Sequence, residues 1–301
     1  MVQDRSASLT AVLQALLVTF LWSTSWVLIK IGLEDIPALT FAGLRYFLAF
    51  LILIPVYRFN KRATPLRSLS RRSWLALALL GLLYYAIAQG TQFLALSYLP
   101  AINFSLLLNF SALIVAFLGI VLLREFPTRL QWAGALLFIG GVLVYFYPLG
   151  IEAALLVGYA IAIVHILTNS FSGVLGRGIN RLGTIHPLTV TVVSMGVGSV
   201  VLLAIGLLTE PWPSLSWRSW AIILWLAVVN TAFAFTLWNH TLRTLTAMES
   251  SIINNTMLIQ ITLLAWIFLG ETLTWLQVGG LLLAAIGVLL VQIRPQNRAA
   301  K

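Results

Sequence analysis

The sequence predicts an all-α, polytopic membrane protein with ten transmembrane helices in two inverted-topology repeats of five. Three observations carry that prediction. The chain is apolar in long runs, its basic residues alternate from one side of those runs to the other, and its two halves match at one constant offset.

Of the 301 residues, 60% are hydrophobic and 9% are charged. A soluble domain carries roughly 25% charged residues, so these charges are too few to cover a water-facing surface. Residues 11–29, 74–88 and 278–293 form long apolar stretches, and a bilayer core needs about 20 such residues per helix. The chain has room for many spans and none for a separate soluble domain. Cysteine is absent, which removes disulfides, thiolate nucleophiles and thiolate-held metals. No cofactor or metal is expected. Arg5 followed by an apolar run from Leu9 has the outline of a signal peptide. The run continues through Trp22 and Trp26 without a small-x-small cleavage pattern before Lys30, so it reads as a retained first span.

Turn residues and charges place helices at 8–31, 38–57, 73–97, 101–123, 129–147, 152–174, 186–208, 217–242, 247–269 and 274–293. Pro37, Pro100, Pro127, Pro148, Pro187, Pro211 and Pro213 fall in or beside the intervening loops, where prolines end or begin helices. With the N-terminus inside, fifteen of the eighteen basic residues lie on the cytoplasmic side. Six of them crowd one loop: Arg58, Lys61, Arg62, Arg67, Arg71 and Arg72. The outer side holds Lys30 and Arg218, and Arg45 lies within a span. Cytoplasmic loops retain Lys and Arg, so both termini are expected in the cytoplasm of a cell with this protein in its inner or plasma membrane. The net charge of +10 is then explained by topology and by anionic inner-leaflet lipid. Nucleic acid is not expected as a partner.

An offset of 146 aligns the halves without a gap over a long stretch. Arg72, Ser73 and Trp74 fall on Arg218, Ser219 and Trp220. Ser105 falls on Ser251, Asn109 on Asn255, Glu125 on Glu271, Gln131 on Gln277, and Gly134 on Gly280. The repeats span residues 1–148 and 149–301 and form one compact membrane domain. Five spans is an odd number, so the second copy enters the membrane from the opposite side. Inverted repeats are typical of secondary transporters, because two similar halves can exchange packings around a central site. Some channels share the feature.

Polar groups at membrane depth are costly unless they face a cavity or a partner. The candidates for lining a central site are Trp22, Trp26, Tyr85, Gln89, Asn109, His165, Asn169, Trp238 and Asn255. Tyr85, Gln89 and Gln92 share one face at helical spacing. An aromatic wall suits amphiphilic or cationic solutes. Interhelical packing and hydrogen bonding is the competing role for each of these residues. His165 and His240 titrate near neutral pH and are the candidates for proton coupling. Arg45 could pair with a carboxylate or carbonyl, or bind a substrate carboxylate; the structural role is favoured. Glu125 and Glu271, beside helix N-termini, read as structural caps.

The segments Phe268-Leu269-Gly270-Glu271-Thr272-Leu273-Thr274-Trp275-Leu276-Gln277 and Leu123-Arg124-Glu125-Phe126 with Gln131-Trp132-Ala133-Gly134 resemble the Gly-Glu loop and following helix of EamA-type proteins. These belong to the drug/metabolite transporter superfamily. Trp22-Ser23-Thr24-Ser25-Trp26 with Lys30, Arg45-Tyr46, and Ala95-Leu96-Ser97-Tyr98 with Ala101 are similar to that family's first helix, second helix and third-to-fourth junction. Arg124 stands where the family has Gly. The resemblance implies ten helices, cytoplasmic termini, export of amino acids or other metabolites, and final helices serving as scaffold or dimer contact. Monomer and homodimer both stay open.

The competing classes fare less well. There is no His-Glu-x-x-His, no Gly-x-Ser-x-Gly elbow and no phosphate-binding Gly-rich loop with Lys. The two Asp, Asp4 and Asp35, lie outside the spans. An enzyme is therefore not expected. A lipid or lipid-linked flippase and a channel-like permease are the alternatives to a small-solute carrier.

Overall fold

The computed structural model describes residues 5–114, 117, 128–147, 153–241, 244–245 and 247–292. Among the described residues the regular structure is helical, without strands. The helices are α1 (Arg5–Gly32), α2 (Ala38–Phe59), α3 (Arg71–Tyr98), α4 (Ala101–Ile114), α5 (Arg129–Tyr145), α6 (Leu156–Arg181), α7 (Pro187–Thr209), α8 (Trp217–Thr241), α9 (Ala247–Leu269) and α10 (Trp275–Gln292). Seven are long and apolar enough to cross a membrane, and α4, α5 and α10 are shorter apolar helices.

The helix starts follow local capping chemistry. Ser70 and Ser216 cap α3 and α8, each accepting from the backbone N–H three residues on at 3.1 Å. Thr128 and Gln131 form a capping box at α5, and Thr274 with Gln277 makes the same pair of bonds at α10. Pro37, Pro100 and His186-Pro187 start α2, α4 and α7, as the proline positions predict. The expected boundaries hold to a few residues except at α6. There the spacing predicts 152–174, whereas the helix starts at Leu156 after a 3-10 turn (Ala153–Leu155) and runs to Arg181. Gly173, Gly176 and Gly178 do not end it. Buried Ile179 packs with Leu77, Leu80, Ile185, Val190 and Val193, and that packing outweighs the weak helix propensity of glycine. The described part of α4 ends at Ile114, so the expected extension to 123 lies outside the described residues, as does Glu125.

Two features were not expected. Inside α3, Leu82–Ala88 is π-helical, and inside α8, Val228–Phe233 is π-helical. Both begin 146 residues apart, as do α3 and α8, α4 and α9, and α5 and α10. The packing follows the same correspondence. α5 packs along α10 and α2 along α7, each helix against its counterpart. The α3–α7 and α3–α6 contacts are matched by α8–α2 and α8–α1. Where α5 crosses α10, Gly134 faces Gly287 and Gly141 faces Gly280, so closely that a side chain on any of the four would run into backbone. Small residues give such crossings their van der Waals contact in lipid, where no hydrophobic force draws helices together.

Candidate functional site

The polar and aromatic side chains at membrane depth fall into three neighbouring groups. The first joins α1, α8 and α9. Trp22 stacks at a tilt on Phe235 and Trp238, with ring centroids 5.3 and 5.2 Å away. Its Nε1–H is buried without a partner, and so is Oδ1 of Asn230. Asn230 donates from Nδ2 to Leu21 O and to Thr24 Oγ1. Gln260 of α9 accepts from Ser23 Oγ at 2.9 Å and donates to Thr19 and Thr256. Unsatisfied buried groups are expensive, so the Trp22 and Asn230 atoms are the ones a bound molecule could satisfy.

The second group joins α1, α4 and α6. Trp26 is buried against Phe104, with centroids 5.1 Å apart, and Phe104 meets His165 edge-on at 5.3 Å. His165 is buried, with Nδ1 2.7 Å from the carbonyl of Ala88. A carbonyl only accepts, so Nδ1 carries the proton, and the imidazole is fixed on the last residue of the α3 π segment. Trp22 and Trp26 share a face of α1, yet they engage different partners.

The third group joins α2, α3 and α8. Tyr85 is buried, edge-on to Tyr46 at 5.7 Å and to Tyr84 at 4.9 Å. Gln89 accepts from the Tyr46 hydroxyl at 2.6 Å. Arg45 is 4% exposed. Its Nε donates to Thr231 Oγ1 at 3.2 Å, and Thr231 in turn donates to Leu226 O at 2.8 Å. The guanidinium carbon lies 5.1 Å from the Tyr46 ring and 5.9 Å from that of Phe93. A desolvated cation–π contact contributes about 2 kcal/mol. Burying an ion costs several kcal/mol, so the rings offset part of the charge and not all of it.

The remaining candidates are Asn109, Asn169, Asn255 and His240. Asn109 donates back to Ser105 O at 2.8 Å, a bond within its own helix. Asn169, Trp238 and Asn255 are half-buried, and His240 is exposed near the end of α8. The face expected for Tyr85, Gln89 and Gln92 assumed an uninterrupted α-helix. Tyr85 sits in the π segment, so its bearing relative to Gln89 departs from that spacing.

Glu271 is a cap, but on an unexpected helix. Its carboxylate accepts from Ala101 N at 2.6 Å and Ile102 N at 2.9 Å, at the start of α4 in the other half. Gly270, with φ of +66°, and the bond from Glu271 N to Ala265 O turn the chain so that the side chain reaches there. Lys30 donates to Leu96 O at 2.8 Å, at the end of α3, and interacts electrostatically with Glu271. Each charge thus sits on the helix end of opposite polarity. Glu210 does the same for α2, accepting from Leu39 N, Thr40 N and Thr40 Oγ1 at 3.0, 2.8 and 2.9 Å. At the start of α7 that place is taken by Thr64, which accepts from His186 N and from Thr189 Oγ1. Thr64 precedes Glu210 by the same 146 residues.

A bundle of long apolar helices with buried polar and aromatic groups between them is a multi-pass membrane protein. Residues 9–147 and 156–293 each match the EamA-like transporter family, and the chain belongs to it. The uncharacterized transporter YoaV of Bacillus subtilis is 25% identical over 278 residues, covering 90% of this chain and 92% of that one. A probable amino-acid metabolite efflux pump of Salmonella typhimurium is 29% identical over 291 residues, covering 91% and 92%. A solved crystal structure shares the fold with a TM-score of 0.67, at 18% identity, covering 94% of this chain and 96% of that one.

Proposed function

We propose that the protein is a secondary carrier that exports amino acids or related amphiphilic solutes by alternating access between two inverted five-helix halves. Both termini face the cytoplasm of the cell that carries it in its inner or plasma membrane. The observation that carries this reading is the double family match, one per half, together with helices and π segments that recur 146 residues apart. The amino-acid part rests on the Salmonella relative, whose name is that of a probable amino-acid metabolite efflux pump.

The solute passes between the three groups described, lined by Trp22, Trp26, Tyr85, Gln89, Asn109, His165, Asn169, Trp238 and Asn255. In this conformation the end of the bundle that carries Lys30 is held together by Lys30, Glu271 and the Trp26–Phe104 contact. Proton coupling runs through His165 or His240, the titratable imidazoles of the spans.

The test is counterflow in proteoliposomes preloaded with single amino acids. A carrier gives saturable exchange that collapses without internal substrate. Ohmic conductance points to a channel, and lipid scrambling without solute exchange points to a flippase; either overturns the proposal. Undiminished transport after collapse of the proton gradient removes the coupling alone.

A further inference from the structure

Among the described residues Arg45 has no carboxylate counter-ion. It lies well inside α2, buried against the rings of Tyr46 and Phe93. The described carboxylates are used or placed elsewhere. Glu210 caps α2, Glu271 caps α4, and Glu34 and Asp35 are exposed in the turn after α1. One guanidinium N–H is taken by Thr231, and the group has five to give. A cation at membrane depth in a carrier is a binding element when its partner is not part of the protein.

We propose that Arg45 anchors a subsite for the carboxylate of the transported solute, which serves as its counter-ion. This rests on the carrier reading above and names the group that the carrier selects. Three features of the surroundings support it. Arginine offers a planar fork that matches a carboxylate with two parallel hydrogen bonds. Both π segments lie beside it, one through Thr231, which accepts from Nε, and the other through Tyr85, edge-on to the Tyr46 ring that the guanidinium covers, and π turns inside α-helices occur frequently at functional sites. Asn230, the neighbour of Thr231 in the same π segment, is fully buried and leaves Oδ1 without a partner. A guanidinium for a carboxylate and an amide oxygen for an ammonium are the complements of an α-amino acid.

The subsite is occluded here, since Arg45 and Tyr85 are both at most 5% exposed. The solute reaches Arg45 when α2, α3 and α8 part.

The experiment compares matched trios in proteoliposome counterflow: leucine, phenylalanine and methionine, each with its amide and its decarboxylated amine. The wild-type chain exchanges the acid roughly tenfold to hundredfold better than the amide, the range for a charged hydrogen bond. Arg45→Gln brings that ratio near one, and Arg45→Lys keeps part of it. If Arg45→Gln does not fold, Thr231→Val, which removes the oxygen that positions Nε, lowers the ratio severalfold in a folded protein. The inference is overturned if the wild type exchanges acid and amide alike. It is equally overturned if a folded Arg45→Gln keeps the wild-type ratio. In those cases exchange persists and the carrier reading stands. If no member of any trio exchanges, the amino-acid carrier reading falls and takes this inference with it.

Discussion

Gly141→Ala separates α5 from α10, and the adjacent Gly140→Ala does not. A Cβ on Gly141 would lie 2.6 Å from Gly280 O and 2.9 Å from Ala284 Cα, and closer still to Ala284 N. All three are backbone atoms, which cannot rotate away. Ordinary contact begins at 3.4 Å, so the helices must part by 0.8 Å at Gly280 O alone (3.4 less 2.6). Overpacking of this kind costs about 1–3 kcal/mol. A Cβ on Gly140 meets nothing within 4 Å. Both substitutions gain about 1 kcal/mol of helix propensity. That gain cancels between neighbours, so the difference between the two variants isolates the packing cost of about 1–3 kcal/mol. Thermal unfolding of the purified chains in detergent, followed by tryptophan fluorescence, reads it directly. Gly140→Ala melts at or above the wild type, and Gly141→Ala melts several degrees below Gly140→Ala. Gly279→Ala and Gly280→Ala repeat the contrast on α10, where a Cβ on Gly279 has open space and one on Gly280 would lie 2.5 Å from Tyr145 N. Coincident melting within both pairs would refute the close crossing.

Three further outcomes follow from named contacts. Glu271→Gln weakens the cap on α4 and removes the charge facing Lys30, costing about 1 kcal/mol; the melting temperature falls, whereas Glu34→Gln, at an exposed turn, leaves it unchanged. Gln260→Leu removes the bonds that tie α9 to Ser23 and Thr19 of α1, at about 0.6 kcal/mol per interhelical bond, and an unchanged melt would show those bonds to be idle. The chain has no native cysteine, so single cysteines report topology cleanly. An impermeant maleimide added to intact spheroplasts labels a cysteine at position 34 and spares one at 67, and the reverse pattern inverts the orientation.

The all-helical membrane class, helix order and most boundaries were legible because membrane depth imposes length and apolarity on a span, and because prolines and Ser or Thr caps mark the ends. The recurrence at 146 residues was legible from Trp, Asn, Glu, Gln and Gly, which rarely coincide by chance in an apolar chain. The π segments were not. No residue in Leu82–Ala88 or Val228–Phe233 differs in kind from its α-helical neighbours. Gly81, the residue before the first π segment, lies close against Ser194 and Gly198 of α7, an approach between helices that local sequence does not reveal. That π segment unsettles the helical spacing on which the face of Tyr85, Gln89 and Gln92 was read. Trp22 and Trp26 fail differently. Their spacing puts them on one face of α1, but α1 leans on α8 at one level and α4 at another, so one face meets two partners.

Glu271, Glu210 and Arg45 mark the limit of reading charges from their place in the chain. A carboxylate beside a helix start was read as the cap of that helix. In lipid the nearest positive helix end in space matters more than the next one in sequence, and for Glu271 that end belongs to α4 of the other half. The consequence reaches past stability. On the alternating-access proposal, a cap that joins the two halves is made or broken as they exchange, and Glu271 and Glu210 would then weigh on the balance between conformations as well as on the fold. Arg45 is the opposite case, a charge with aromatic neighbours and no described carboxylate. A structural ion pair would have satisfied it inside the chain. Its cost is tolerable if it is offset during transport, by an anion that binds at that point and leaves.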